Sequence, residues 1–392
     1  MGKSRKIGPE DLRKKFIIIN GFSLHRPNRG NTALNIGTVS FLKEKGLMND
    51  DHEIISFVFY KNPFKKQYWK EEHDNNEIDG KPCKSHIIPV FYLQQRLCVK
   101  WGIVLPFTKF GRLIRNVAYE AADYGGDGFS DIYGDRTLQL RYSQTVVVKR
   151  LGIPLLILPQ TIGPFQKQYN YEYAKRLLEY ADSVYVRDNK YEDELAELNI
   201  PYTKTKDLSA FMKPLPWEIE IKPNAIGINV SGLAYSNNYR KLAGEFEVYP
   251  RLISEIIEHF RSAGHPIYLI PHAYNYVIPD ENNDDMVACR EVYEKLENKK
   301  DIYLIDKDLL SPQIKYVISK MKFFVGTRMH ANFAAIYTNT PVFGLAYSYK
   351  FEGAFVNNGL GADQTYMINN LKESEIPDVL NRIDRIYCKY CK

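Results

Sequence analysis

Short apolar runs alternate with amphipathic stretches along nearly the whole chain, and the hydrophobic period switches between two and roughly 3.6 as it goes. Residues 16–20, 54–60, 87–91, 154–158 and 183–187 read as buried strands, and residues 32–45, 136–151, 169–181 and 191–198 as helices. Strands that alternate with helices in this way predict βα units and mainly parallel sheets. A proline-rich stretch starting at Lys213-Pro-Leu-Pro-Trp and reaching Pro223 then stops helix and central strand alike, so 214–224 reads as a linker. A second series follows, with strands at 225–230, 266–271, 302–305, 322–325 and 341–345 and helices at 250–263 and 286–297. The last amphipathic segment has apolar residues at Ile376, Val379, Leu380, Ile383 and Ile386, a helical stripe. The expected organisation is a basic tail over 1–15, an α/β domain over 16–213, the linker, an α/β domain over 225–370, and a helix within 371–392 that packs back on the first domain. The fold class is two Rossmann-like domains facing a cleft.

Composition narrows the partners. At 392 residues the chain is long enough for two or three domains, and 44% hydrophobic with 26% charged residues is an ordinary globular balance. A net charge of +6 favours small anions or an anionic surface over a dedicated nucleic-acid role. The 29 tyrosines suit sugar faces, and equally suit core filling. Five cysteines without framework spacing predict a reducing compartment, and the lone Cys388-Lys-Tyr-Cys391 reads as incidental. No apolar run is long enough to span a bilayer, so a cytoplasmic protein, soluble or peripheral at the inner face of the membrane, is expected. One window bears on that last point: Arg96, Lys100, Trp101, Phe107, Lys109, Phe110, Arg112 and Arg115 interleave cations with apolar residues, as a surface-lying or a core-covering segment would.

The richest chemistry lies in Phe323-Phe-Val-Gly-Thr-Arg-Met-His. A strand runs into Thr327, the expected N-cap, and a helix follows whose N-terminus favours an anion. Arg328 adds a fork matched to phosphate or carboxylate, and His330 a group that titrates near neutrality. A second candidate is Asp123-Tyr-Gly-Gly-Asp-Gly-Phe-Ser-Asp, whose glycines permit close approach and whose Asp127 and Asp131 are short carboxylates on the loop. Gln160 and Thr161 stand at the next strand end, Arg187 at the one after, and Lys350 beyond Ala346-Tyr-Ser-Tyr. Asn28-Arg-Gly-Asn opens the first long helix with Arg29, but it is not a dinucleotide fingerprint. No metal-ligand spacing is present, so metal and cofactor independence is expected.

These motifs, in this order, resemble the polysaccharide pyruvyl transferase family: Gly125-Gly-Asp127 through Tyr133-Gly134, Gln160-Thr-Ile-Gly-Pro-Phe165, Val186-Arg-Asp188, Arg328-Met-His-Ala331 and Tyr347 to Lys350. The resemblance spans residues 16–362 and departs at Asn31, where an aspartate is frequent. It implies a GT-B-like fold and phosphoenolpyruvate as donor and co-substrate. The product it implies is a pyruvate ketal on a sugar of a polysaccharide or its lipid-linked precursor. It also implies that Arg328 and His330 belong to the donor site, with Arg187 as helper. Arg29 and Lys350 complete the candidate cations, His330 and Asp127 are the candidate acid and base, and Asp131, Gln160 and Thr161 are candidates for acceptor binding or for shaping the loops. Two other readings fit the same architecture: a nucleotide-sugar glycosyltransferase, with Glu352 near the rim, and a non-catalytic glycan-binding protein.

Overall fold

The computed structural model describes residues 5–62, 64, 70–189, 192–348 and 350–391, leaving the side chains of residues 193, 194, 196 and 350 undescribed. It divides into two compact units, one made of Met1–Leu24 and Leu34–Phe211, the other of His25–Ala33 and Met212–Lys392.

The first unit carries β1 (Phe16–Ile19), most of α1 (Arg29–Glu44), β2 (Glu53–Tyr60), β3 (Glu72–Ile78), β4 (Lys81–Phe91), α2 (Tyr92–Trp101) and α3 (Lys109–Ile114). It continues with β5 (Val117–Ala122), α4 (Asp135–Arg150), β6 (Leu155–Gln160), α5 (Gln168–Leu178), β7 (Ser183–Val186), α6 (Glu192–Leu198) and β8 (Thr203–Lys204). Its sheet runs β3-β4-β2-β1-β5-β6-β7-β8, parallel except where β3 pairs antiparallel with β4. Strands buried on both faces need no alternation, which is why β1 is simply Phe-Ile-Ile-Ile and fully buried.

The second unit contributes β9 (Ile226–Asn229), α7 (Gly232–Ser236), α8 (Tyr249–Ser262), β10 (Ile267–Leu269), α9 (Asp285–Lys295), β11 (Ile302–Leu304) and α10 (Ser311–Ser319). Then come β12 (Phe323–Gly326), α11 (Met329–Ile336), β13 (Val342–Ala346), α12 (Lys350–Asn357), β14 (Thr365–Met367) and α13 (Ile376–Cys391). Its parallel sheet has the order β11-β10-β9-β12-β13-β14. Taken by chain order within the unit, that is 3-2-1-4-5-6, the doubly wound arrangement, and its topological switch point falls between β9 and β12.

Three expectations are corrected. Helix α13 belongs to the core of the second unit, not to that of the first. Val379, Ile383, Ile386 and Tyr387 are buried in one cluster with Ile226, Ile257, Phe260 and Phe323 of the second unit. Helical spacing announces an apolar face but not which core receives it. The boundary lies at Phe211/Met212, and residues 25–33 group with the second unit. The basic N-terminal stretch, from Arg5 on, is held rather than free: Arg5 donates to the Gly152 carbonyl (2.8 Å) and pairs with Asp11 (2.9 Å).

Candidate active site

In the second unit, the residues that follow β9, β10 and β12 meet at the switch point. Strand β12 is wholly buried, and the chain leaves it through Thr327 and Arg328 into α11. The cap position is Arg328, not Thr327. The Thr327 hydroxyl is shared with the buried Tyr249 hydroxyl (2.8 Å), while the Arg328 amide donates to Asn229 Oδ1 at the end of β9 (2.8 Å).

Asp285 organises this corner. Fully buried, it accepts from the amides of Gly232 (2.9 Å), His272 (3.1 Å) and Ala273 (2.9 Å), and from Asn229 Nδ2 (3.2 Å). It also takes Arg328 Nε (2.9 Å) and Nη2 (2.7 Å), and Nη2 donates further to the Asn283 carbonyl (2.8 Å). A buried carboxylate is tolerated only when donors surround it, and a buried guanidinium only when an anion faces it. The Asp285 charge beside it, with the Tyr347 hydroxyl, raises Arg328 above the ordinary arginine range despite burial. Arg328 is therefore a fixed part of the wall.

Residues 25–33 supply the other side. Arg29, only 7% exposed, stacks its guanidinium 4.6 Å from the Tyr274 ring centroid and bonds the Arg26 carbonyl (2.9 Å) and Asp308 Oδ1 (2.5 Å). Gly30 lies against the His330 ring. A Cβ at position 30 would sit 2.5 Å from His330 Nδ1. His272, after β10, is buried as well. Burial first, then the charges of His330, Arg328 and Arg29, push its pKa well below the usual histidine value, so it is neutral at physiological pH. Four basic side chains thus share one corner of the second unit. Sequence reasoning reached Arg29, Arg328 and His330 but missed His272 and Asp285. Only the Pro-His step after an apolar strand hinted at the former.

The remaining candidates belong to the first unit. Asp123, rather than Asp127, shapes the glycine loop, its Oδ1 accepting from the amides of Gly125 (3.0 Å) and Gly126 (2.9 Å). Both glycines have φ near +80 to +90°, at 88° and 79°, and a Cβ on Gly126 would meet Arg187 Nη1 at 2.8 Å. Arg187 donates to Thr161 Oγ1 (3.1 Å) and Asp207 Oδ2 (2.7 Å), and Thr161 also bonds Asp188. Asp127 accepts from the half-exposed Tyr133 hydroxyl (2.7 Å). Burial, then neighbouring Asp207, raises Asp123 to about 6, against the lowering by its glycine amides and by Arg187.

Two of the candidates for acceptor or loop roles hold backbone in this structure. Gln160 is fully buried and spends its amide on the Tyr124 N–H and the Ala122 and Leu158 carbonyls. Asp131 accepts from the amides of Gln166 (2.9 Å) and Lys167 (3.0 Å) and from Asn170 (3.0 Å), which fixes the start of α5. Polar residues at strand ends are recruited by unpaired backbone as readily as by ligands. Lys350 opens α12, but its side chain lies outside the described residues.

The sequence matches the model of the family described as polysaccharide pyruvyl transferase over residues 28–349. The chain belongs to the polysaccharide pyruvyl transferase family. Among solved structures it is similar to UDP-GlcNAc 2-epimerase from Methanocaldococcus jannaschii, at a TM-score of 0.53 and 11% identity, covering 97% of this chain and 94% of that one. It is also similar to a putative UDP-N-acetylglucosamine 2-epimerase from Listeria monocytogenes, at 0.50 and 13%, covering 95% and 88%. At such identities the likeness is one of fold, and the pyruvyl transferase chain is GT-B-like. The family match spans both clusters, since it starts at Asn28, beside Arg29, and ends beyond His330. A polysaccharide pyruvyl transferase needs a pyruvate donor and a glycan acceptor.

Proposed function

We propose that this pyruvyl transferase takes its pyruvate from phosphoenolpyruvate and fixes it as a cyclic ketal on two hydroxyls of one sugar in a polysaccharide or its precursor. The observation that carries the reading is the convergence of Arg29, His272, Arg328 and His330 at the switch point of the second sheet. Phosphoenolpyruvate bears a phosphate and a carboxylate, and such a ligand seeks fixed cations and the N-terminus of a helix, here α11. Because Asp285 and Asp308 hold Arg328 and Arg29 in place, the arginines are preorganised and their long-range charge is moderated.

In this reading protonated His330 gives its proton to the donor's methylene carbon, which becomes a methyl group. The central carbon turns oxocarbenium-like, and a sugar hydroxyl oxygen bonds to it. The carbon–oxygen bond to phosphate breaks, a second hydroxyl closes the ring, and of the two hydroxyl protons one restores His330 and the other leaves with inorganic phosphate. Neutral His272 keeps a further positive charge out of the corner. His330→Ala should lower turnover about 10²- to 10⁴-fold, the usual worth of general acid help, without loss of fold. Phosphate release and a mass gain of one pyruvate on candidate glycans would be followed with phosphoenolpyruvate as donor. Near-normal turnover by the variant would remove His330 from the chemistry. Thermal protection by nucleotide sugars and not by phosphoenolpyruvate would favour the glycosyltransferase reading instead.

A further inference from the structure

The window around α2 belongs to neither cluster. Leu93, Arg96 and Lys100 fall at i, i+3 and i+7 and share the outer face of α2, while Gln95 and Cys98 are buried beneath. Gly102, at φ 72°, ends the helix, and the loop to α3 leaves Ile103 and Phe107 outside. Leu93 is 52% exposed, Trp101 56%, Ile103 47% and Phe107 75%, four large exposed apolar side chains within about fifteen residues of chain. Phe110, by contrast, is buried and belongs to the core, and Lys109 is taken by Glu71.

Charge says what covers this face. Between Asp79 and Glu120 the chain has no carboxylate and seven Lys or Arg residues. Lys81, Lys84 and Lys109 find Asp50, Glu53 and Glu71. Among the described residues Arg96, Lys100, Arg112 and Arg115 form no ion pair, and Lys100 Nζ lies 4.8 Å from the Trp101 ring centroid. A symmetric second copy would oppose these cations to themselves, and nucleic acid would use the two rings and the cations but leave the aliphatic Leu93 and Ile103 without a partner. A tryptophan flanked by unpaired cations and aliphatic residues matches the headgroup layer of an anionic bilayer, where the rings enter the acyl boundary and the cations meet phosphate. No helix among the described residues is long and apolar enough to cross a membrane, so contact would be from one side. Beside the same helix, Arg96 and Lys100 line a groove of about 870 Å³ with Tyr92, Tyr142, Tyr169 and Tyr173.

We propose that α2 and the loop after it form a docking surface for an anionic phospholipid bilayer, placing that tyrosine-lined groove next to the membrane. The proposal does not depend on the donor chemistry. Its test is co-sedimentation of the full chain with phosphatidylglycerol–phosphatidylcholine vesicles and with phosphatidylcholine alone, at low and high salt. Binding to the anionic vesicles only, weakened by salt, is expected. Arg96→Gln with Lys100→Gln should weaken it about 30-fold, from about fivefold per basic residue, and Trp101→Ser with Phe107→Ser at least as much. The Trp101/Phe107 variant should keep the parent melting temperature and the parent turnover on a soluble acceptor. Equal binding to both vesicle types, or undiminished binding by the two variants, would overturn it. So would a dimer in sedimentation equilibrium that the same substitutions dissolve, which would assign the face to a second copy.

Discussion

Gly30 sits at the beginning of a helix, where alanine would ordinarily be the better residue by up to about 1 kcal/mol. What forbids a methyl group there is the ring of His330, 2.5 Å from where the Cβ would stand. Gly30→Ala should therefore leave helix α1 intact and move the imidazole. A displacement of about 1 Å at a reacting group can cost about 10²-fold in rate, so turnover should fall by that order while the melting temperature barely changes. If Gly30→Ala keeps full turnover, the ring's position is not what the reaction uses. Sequence reasoning found Arg29, Arg328 and His330 because they sit beside strand-to-helix turns, which are local signals. Asp285 gives no such signal. Its importance comes from donors on Asn229, Gly232, His272, Ala273 and Arg328, three stretches of chain that only folding brings together. For the same reason the strand-end position of Gln160 could not tell a ligand contact from a loop role, and in the structure its amide braces the backbone of β5 and β6.

Among the elements, the fully apolar parallel strands were the easiest to read, and those that depart from that pattern were not. Strand β3 is Glu-His-Asp-Asn-Asn-Glu-Ile at the sheet edge, where one flank is solvent and charge is tolerated. Strand β5 is central and buried, yet its sequence Val-Ala-Tyr-Glu-Ala-Ala carries Glu120. That carboxyl is fully buried and accepts from Thr145 Oγ1 (2.9 Å). Burial lifts its pKa from 4.5 to about 8. Helix α13 shows the complementary limit, a legible face with an illegible destination. Its Ile383 is fully buried in the second unit's cluster, and Ile383→Ala should destabilise that unit by about 3 kcal/mol, as truncations of buried isoleucine do. Chemical denaturation would read this directly, and a change under about 1 kcal/mol would mean that α13 contributes little to that core.

At the scale of the molecule, the strongest burial-driven carboxyl shifts lie in the first unit and the strongest histidine shift in the second, exceeding those of His52 and Asp284, so pH should act on the two units in opposite senses. In the first unit Glu120 at about 8 and Asp123 at about 6 keep protons that the unfolded chain gives up near 4.5 and 3.8. Across that window the native state binds more protons, and stability falls as pH rises from about 4.5 toward 8. In the second unit His272 stays neutral well below its ordinary 6.5, so the unfolded chain binds the extra proton, and stability falls as pH drops below about 6.5. Calorimetry from pH 5 to 8 should then show two transitions moving in opposite directions, and Glu120→Gln should flatten the first alone, with its largest gain at pH 8. Phosphoenolpyruvate, the proposed donor, supplies the assignment. A ligand held at the second sheet's switch point, present at about 100 times its dissociation constant, adds about 2.7 kcal/mol to the unit that binds it. It should raise the transition that Ile383→Ala lowers, and leave the one that responds to Glu120→Gln in place. If the donor raised the Glu120-sensitive transition instead, the anion would belong with Arg187, Asp123 and the glycine loop, and the chemistry given to His330 would have to move with it.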